Sequence, residues 1–505
     1  MRSNREKAIA LSVAAVLLAA LAIALGDGIF SARPVRAGGE LTPQPIQLPG
    51  YPFPAAVIDK WVAADNVTAM RQHAWALWGG ISAITPASFG FPVWETWYSD
   101  AEVQAGPPLQ LANTMYAAAR AGGRPARSFH LPRQFHHVRG LGMQLDRQVK
   151  AALPDPGAQV LAFNKFNTEY ADFVWSNGYY AGAALWNIQA GWPAGTPVAL
   201  RTIKQFPAPA IGLKPVFQFV NGPHHNGGIT VVNYWLGDLV SGTKHSTNPD
   251  FPTPDTWTQC VVVYTGSGPL PLGQVCKVTG HTGPPILPTG RVSVNQFYNF
   301  QLQTDEVQSA CSSFPAGKCP IQVGDYAILV AMHMTTKEDA NWTWQTFWWN
   351  YNQPFPYGPP PSNVPAPFDN YAMCTGYATT FNPANNPAGQ NVRCYNPYLE
   401  TGLKPVEGVN SDCMTCHMVA SLGNNPNDAP SQPNPTNDTG YPMFLKGTST
   451  YMSVADATDD TIFFNCQTQT DFSWFLAGVV AGSANPPPQP PCIQAVKARK
   501  RNSPQ

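Results

Sequence analysis

Short runs of β-branched and aromatic residues recur through the middle of the chain, between residues 151 and 355. Gly, Pro and Asn separate these runs at intervals, which is typical of the strands of a β-sandwich or a barrel-like sheet. The strands do not alternate with long helices, and no G-x-G-x-x-G or P-loop motif occurs, so a doubly wound nucleotide-binding fold is excluded. The predicted strands lie at residues 198–203, 216–220, 229–232, 261–264, 292–294 and 326–330.

The segment before this β-rich domain, residues 38–150, is rich in tryptophan. Residues 55–78 carry Trp61, Trp75 and Trp78 and are predicted to form a helix. Residues 91–97 form a run of aromatic and β-branched side chains that predicts an extended segment. We therefore expect a mixed helix and loop structure here.

The C-terminal region, residues 356–495, is interrupted by proline. Pro-rich stretches lie at 354–367, 426–435 and 486–491, and they exclude long helices in this region. A final helix is predicted to begin within residues 471–476. The chain as a whole is predicted to be mainly β with α and irregular segments, with a central β-sandwich or barrel-like domain and a loop-rich C-terminal region.

The N-terminus has the pattern of an export signal. Arg2, Arg5 and Lys7 precede an apolar run over residues 8–25, and small residues lead to an A-x-A-like site that ends at Ala37. The sequence therefore predicts a signal peptide over 1–37, with an uncleaved membrane anchor as the open alternative.

Basic residues over 496–505 form a predicted tail. Acidic and basic residues number 30 each, so no nucleic-acid surface is expected.

One pentapeptide, Cys413-Met414-Thr415-Cys416-His417, carries the chemistry that is easiest to interpret. C-x-x-C-H is the attachment signature of a c-type haem, in which two thiols bind the vinyl groups and the histidine binds the iron. A helix through this segment would bring the three side chains together. A thioredoxin-like redox pair, half of a zinc site or a disulfide are the alternatives, but neither a βαβ context nor a second C-x-x-C occurs.

Outside this motif the chain has eight further cysteines of its ten. Eight cysteines in an exported, loop-rich chain predict four disulfides. Pairing in sequence order would join Cys260 to Cys276, Cys311 to Cys319, Cys374 to Cys394 and Cys466 to Cys492. Sequence leaves this choice open, because eight cysteines allow about 105 pairings.

The chain resembles monohaem c-type cytochromes exported by Gram-negative bacteria, and more specifically a group of large bacterial cytochrome-c-family proteins. Three features carry the resemblance. The first is W-E-T-W at Trp94 to Trp97. The second is a strand histidine, His333, which is followed by a cluster of Trp and Phe that extends to Trp349. The third is C-x-x-C-H, followed by T-D-F-S at Thr470 to Ser473. The resemblance implies one covalent haem and electron transfer, and it implies no substrate.

The ligand on the other side of the iron is left open by the sequence. Met443 follows Pro442 in an extended stretch and is the preferred candidate, with Met452, His333 or an open position as alternatives.

The pairs His136-His137 and His224-His225 are weak metal candidates because neither brings a third ligand with it. Glu95 is either an acid with a shifted pKa or a buried carboxylate with local hydrogen bonds.

Two functions follow from these observations. The first is a periplasmic electron carrier that exchanges electrons with a redox partner protein through the haem. The alternative is a haem-dependent periplasmic oxidoreductase that binds a small molecule between the β-rich domain and the haem. Membrane association is expected only if the N-terminal segment stays uncleaved.

Overall fold

A computed structural model provides the structure of the chain. It describes residues 39–111, 114–131, 160–235, 257–266, 273–278, 281–352, 354–355, 357–382, 384–386, 389, 391–392, 394, 396–399, 412–422, 454–455, 464, 466–480 and 490–493. The predicted signal peptide over 1–37 and the basic tail over 496–505 lie outside these residues.

An eight-stranded antiparallel sheet organises the described chain. Its main order is β1-β3-β4-β9-β10-β11, with β2 paired to β4 and β8 paired to β9. The strands are β1 Tyr98–Ser99, β2 Leu161–Ala162, β3 Lys165–Phe166, β4 Ile211–Val220, β8 Asn299–Gln301, β9 Tyr326–Thr336, β10 Thr343–Trp349 and β11 Tyr371–Thr375. β1 and β11 stand at opposite ends of this order, so the sheet is open and the described strands do not close into the barrel that the sequence left possible.

The long central pair β4 and β9 is nearly all apolar and buried, which explains why these runs form inner strands. β4 contains Pro215, which cannot donate a ladder hydrogen bond. The register of β4 with β9 shifts between Val216 and Phe217, directly after this proline. The irregularity follows the general rule that proline enters a sheet interior at bulges.

A second sheet has three strands, β5 Ile229–Asn233, β6 Cys260–Tyr264 and β7 Gly290–Ser293. β6 pairs antiparallel with β5 and parallel with β7. Four of the predicted runs lie within β4, β5, β6 and β9, and the run 292–294 ends in a 3-10 turn after Ser293. The strand predicted at 198–203 is wrong. Val198–Leu200 is a 3-10 helix, and the residues after it form only single bridges to other segments.

The helices are short. The predicted helix over 55–78 is two helices, because Asp65 adopts a left-handed conformation (φ 50°) between them. Asn66 is the N-cap of the second helix, and its side chain accepts a hydrogen bond from the backbone N–H of Ala69. The extended segment predicted at 91–97 is also wrong, since Val93–Thr96 is a 3-10 helix. The helices are α1 Ala55–Ala63, α2 Val67–Ser82, α3 Asp100–Ala105, α4 Pro108–Leu111, α5 Met115–Ala121, α6 Thr168–Ser176, α7 Gly182–Ala190, α8 Thr304–Cys311, α9 Cys413–His417 and α10 Trp474–Val479.

Two apolar clusters of buried residues contact the main sheet. The larger cluster contains Trp78, whose ring stacks on Phe347 at a centroid distance of 4.0 Å. The second cluster lies on the side of α9 and contains Phe166, Tyr170 and Trp344. β10 therefore contributes to both clusters, through Phe347 to the larger one and through Trp344 to the second.

Buried charges tie the Trp-rich segment to the sheet. Lys165 is fully buried and donates to the backbone carbonyls of Glu95, Trp97 and Ala126 at 3.2, 2.9 and 2.9 Å. Glu95, also fully buried, accepts from Arg127 and from the hydroxyl of Tyr298. The second of the two interpretations of Glu95, a buried carboxylate with local hydrogen bonds, is the one that the structure bears out.

The four disulfides predicted from sequence order are confirmed. They join Cys260 to Cys276, Cys311 to Cys319, Cys374 to Cys394 and Cys466 to Cys492. Such a set is typical of an oxidising, extracytoplasmic compartment. Among the helices of the described residues, none has both the length and the apolar character needed to cross a bilayer.

Candidate functional site

The C-x-x-C-H segment forms α9, a helix of little more than one turn. Asp412 caps it: its Oδ1 atom accepts hydrogen bonds from the backbone N–H and the hydroxyl of Thr415 at 2.9 and 3.0 Å. Burial raises the pKa of Asp412 to about 8, far above the usual value of a carboxyl group. Gly376 leaves room for this cap, because a Cβ atom there would lie 2.7 Å from Asp412 Cβ. The loop after β11 therefore fixes where α9 begins.

α9 packs against β10 on the side of the second apolar cluster. Cys413 and Cys416 are the two cysteines that remain after the four disulfides, and both are buried. The imidazole ring of His417 lies 4.3 Å from the indole of Trp344, between ring centroids, at an angle of 41°. The helix thus holds two buried thiols and an imidazole beside one face of the sheet.

The orientation of His417 is set by a backbone carbonyl. Its Nδ1 atom lies 2.8 Å from the carbonyl oxygen of Phe472, and a carbonyl only accepts, so Nδ1 carries the proton. Burial lowers the pKa of His417 to about 3, which keeps the ring neutral at pH 7. In this tautomer Nε2 is the nitrogen with a lone pair for a metal. Histidines that bind metals usually have their second nitrogen held in this way.

The Phe472 carbonyl is itself fixed by an unusual turn. Asp471 and Phe472 both adopt left-handed conformations, with φ values of 48° and 67°. Asp471 Oδ1 pairs with Lys337 at 2.8 Å, and its Oδ2 accepts from the backbone N–H of Phe206 at 2.8 Å. The indole N–H of Trp342 donates to the Asp471 carbonyl at 3.0 Å. These contacts hold a conformation that is rare for residues other than glycine.

A cavity of about 380 Å³ lies beside His417, which is within the usual size range of cofactor and ligand pockets. Aromatic rings supply much of its wall. His333 and Lys214 also line it, although they come from the sheet and not from the C-terminal region. The lining includes Asp100, His130, Asn164, Phe166, Tyr170, Gly212, Lys214, His333, Trp342, Trp344, His417, Phe472, Trp474 and Phe475.

The sheet register explains the floor of this cavity. Two rows of paired residues cross the three strands. The first row is Gly212 in β4, Thr335 in β9 and Trp344 in β10. The second row, two residues away, is Lys214 in β4, His333 in β9 and Thr346 in β10. Because side chains alternate between faces, both rows point to the same side of the sheet. Gly212 has no side chain to fill the space next to Thr335. A Cβ atom there would meet Thr335 Cγ2 at 3.4 Å and Phe166 Cε1 at 3.5 Å.

The cavity lining also includes a histidine and carboxylate pair, His130 and Asp100, that sequence reasoning missed. His130 Nε2 lies 3.0 Å from Asp100 Oδ2, and His130 Nδ1 lies 2.9 Å from the carbonyl oxygen of Leu131. Burial raises the pKa of Asp100, but the hydrogen bond and charge of His130 outweigh this and hold it below its usual value. Asn164 also donates to Asp100, at 3.1 Å. No local motif joins Asp100, His130 and Asn164, which are spread over 64 positions of the chain.

The other predicted site residues have different positions. Met443, Met452 and the pair His136-His137 lie outside the described residues. His225 binds Asp325 through Nδ1 at 2.9 Å, next to β9 and away from α9. Within the described ranges, no three His, Cys, Asp or Glu side chains come together as a metal site. A haem iron needs only axial ligands from the protein, and His417 and His333 are placed beside one cavity.

Comparisons with protein-family models, with curated proteins and with solved structures found no match to this chain. The residues around α9 carry the chemistry that indicates a function. The donor set fits a c-type haem: two buried thiols one turn apart, a neutral imidazole with its Nδ1 held by a carbonyl, and an adjoining cavity with aromatic walls.

Proposed function

We propose that this protein is an exported monohaem c-type cytochrome that carries electrons in the bacterial periplasm. Cys413 and Cys416 would hold the haem by two thioether bonds, and His417 would bind its iron through Nε2. The observation that carries the proposal is His417, which lines the cavity while its Nδ1 atom is bound to the Phe472 carbonyl. When bound, the haem supplies one-electron oxidation and reduction.

Attachment needs no oxidant. Each cysteine S–H adds across one vinyl C=C bond, so that a C–S bond forms and the proton goes to the other vinyl carbon. The disulfides leave the right two thiols for this reaction, since the eight other cysteines are paired with each other. The residues after β11 would then form a loop-rich haem region against the open sheet.

The protein around the cavity limits what the haem can contact. Trp344 is buried beside His417, and aromatic side chains supply much of the wall of the cavity. A redox partner protein would accept or donate the electron at the surface. Membrane association would follow only from an uncleaved N-terminal segment.

One observation favours the alternative, a periplasmic oxidoreductase with a small-molecule site. The His130 and Asp100 pair lies on the wall of the same cavity, with partial exposure of both side chains to solvent. Both hydrogen-bond partners of His130 are acceptors, so the pair holds a proton that a bound molecule could receive. This candidate requires an iron coordination position open to that molecule.

The proposal is tested by expressing the chain with a cytochrome c maturation system, followed by denaturing gel electrophoresis and haem staining. Thioether bonds survive denaturation, so the wild type should give a stained band. The double variant Cys413→Ser, Cys416→Ser should be exported without stain. Cys311→Ser, Cys319→Ser is the matched control and should keep the stain. An exported wild-type protein without stain contradicts the proposal.

A further inference from the structure

The central strand β9 contributes a second histidine to the cavity beside α9. His333 lies in the interior of the strand, between its partners Lys214 in β4 and Thr346 in β10. Backbone hydrogen bonds on both sides hold this position. A ligand on such a strand is placed more precisely than one on a loop.

His333 and His417 approach the cavity from different elements. His417 lies against Trp344, and Trp344 is the diagonal neighbour of His333 across the pairing of β9 with β10. Both histidines line the same cavity.

We infer that His333 would hold the haem iron as a second protein ligand, in addition to His417. This inference rests on the proposed haem attachment and names the ligand that the sequence left open among Met443, Met452, His333 and an open position. His333 is placed at the site by the pairing of β9 with β4 and β10.

Ligation by two histidines has a functional consequence. It leaves no coordination position for a small substrate, and imidazole gives a lower reduction potential than a thioether in the same position. The protein would then work as a carrier of electrons at low potential. The His130 and Asp100 pair would border the haem without access to the iron.

The first measurement uses the wild type alone. Near-infrared magnetic circular dichroism and electron paramagnetic resonance of the ferric protein distinguish His/His from Met/His and from high-spin iron. We expect low-spin His/His signals and no binding of carbon monoxide by the ferrous protein on mixing. Met/His signals, or high-spin iron that binds carbon monoxide at once, would overturn the inference.

Variants assign the ligand to a residue. His333→Ala should convert the iron to high spin and gain carbon monoxide binding, and added imidazole should restore the low-spin spectrum. His333→Met should bring in the weak red absorption band of Met/His haem. His225→Ala, at the histidine that pairs with Asp325 away from α9, is the matched control and should keep the wild-type spectrum.

Further outcomes separate the two proposals. A low-spin spectrum that survives His333→Ala without imidazole, or one that is lost in Met443→Ala or Met452→Ala, contradicts the assignment to His333 while haem attachment stands. Absence of haem on the denaturing gel contradicts the proposed function instead. If the His333 variants are not exported, the wild-type spectra still decide between His/His and the alternatives.

Discussion

The imidazole Nδ1 of His417 lies 2.8 Å from the carbonyl oxygen of Phe472, which comes 55 positions later in the chain. A backbone atom in one segment thus determines the tautomer of a histidine in another. That carbonyl depends in turn on the left-handed turn at Asp471 and Phe472, and on the pair between Asp471 and Lys337.

We expect Lys337→Met to destabilise the fold by about 3–5 kcal/mol, because it leaves the Asp471 carboxylate buried without its cation. Both side chains of the pair are at most 5% exposed. The free energy of unfolding in urea measures the effect. The control is Arg124→Met, which breaks an exposed pair with Asp305 and should cost less than about 1 kcal/mol. Equal losses in the two variants would contradict this account of the turn.

Gly212 provides a test of the cavity floor. Gly212→Leu should place a side chain between Thr335 and Phe166 and lower the amount of covalent haem per exported protein, with an overpacking cost of about 1–3 kcal/mol. Gly212→Ala should retain haem, since its methyl group would make ordinary van der Waals contacts. Haem stain divided by protein stain gives the comparison. Full haem loading of Gly212→Leu would show that the haem does not need this space.

We expect the free energy of unfolding to depend on pH through Lys165. Burial lowers its pKa to about 8, whereas an unfolded lysine has a pKa of about 10.4. Between these values the unfolded chain binds more protons, so Lys165 makes the free energy of unfolding rise with pH, by at most about 1.4 kcal/mol per unit. Below pH 8 the lysine is charged in both states and its contribution no longer varies.

The comparison variant is Lys165→Met. It should be less stable than the wild type by about 1–3 kcal/mol at pH 7, because buried carbonyls lose their donor. The difference should grow as the pH rises from 8 to 10. Lys204→Met, at an exposed lysine, should give a difference that stays constant over this range. Urea unfolding at several pH values measures both, and a difference that shrinks with pH would have the wrong sign.

Alkylation of the unreduced protein, followed by mass spectrometry, should modify none of the eight paired cysteines.

The disulfides should differ in their contribution to stability. Replacing Cys466 and Cys492 by serine should cost about 1 kcal/mol more than replacing Cys311 and Cys319, because the bond spans 26 positions instead of 8. Thermal unfolding of the two double variants makes the comparison, and the opposite order would contradict the loop-entropy explanation.

The sequence could predict those features that depend on local chemistry. The disulfide pairs follow sequence order, α9 forms over C-x-x-C-H, and four of the strands coincide with β-branched runs. The run at 198–203 has the same composition, but Arg201 in it donates to the backbone carbonyls of Cys466, Pro490 and Pro491. These contacts with a distant segment replace a strand ladder.

The site was predictable only in part for the same reason. His417 belongs to a motif, and His333 was one of the open candidates for the second iron ligand because its imidazole can bind iron. Asp100, His130 and Lys214 carry no local signal, since only the sheet register and the packing of the Trp-rich segment bring them to the cavity. The missing information is the order of the strands, which a single sequence does not contain.

The strand β11 ends the main sheet, and all five of its residues are buried. Its Cys374 is bonded to Cys394, in a segment whose Val392 and Tyr398 are buried as well. An uncovered edge strand presents unsatisfied N–H and C=O groups that pair with other chains. Reduction of this disulfide would therefore loosen the cover of an aggregation-prone edge, so an oxidising compartment protects the solubility of the protein as well as its stability.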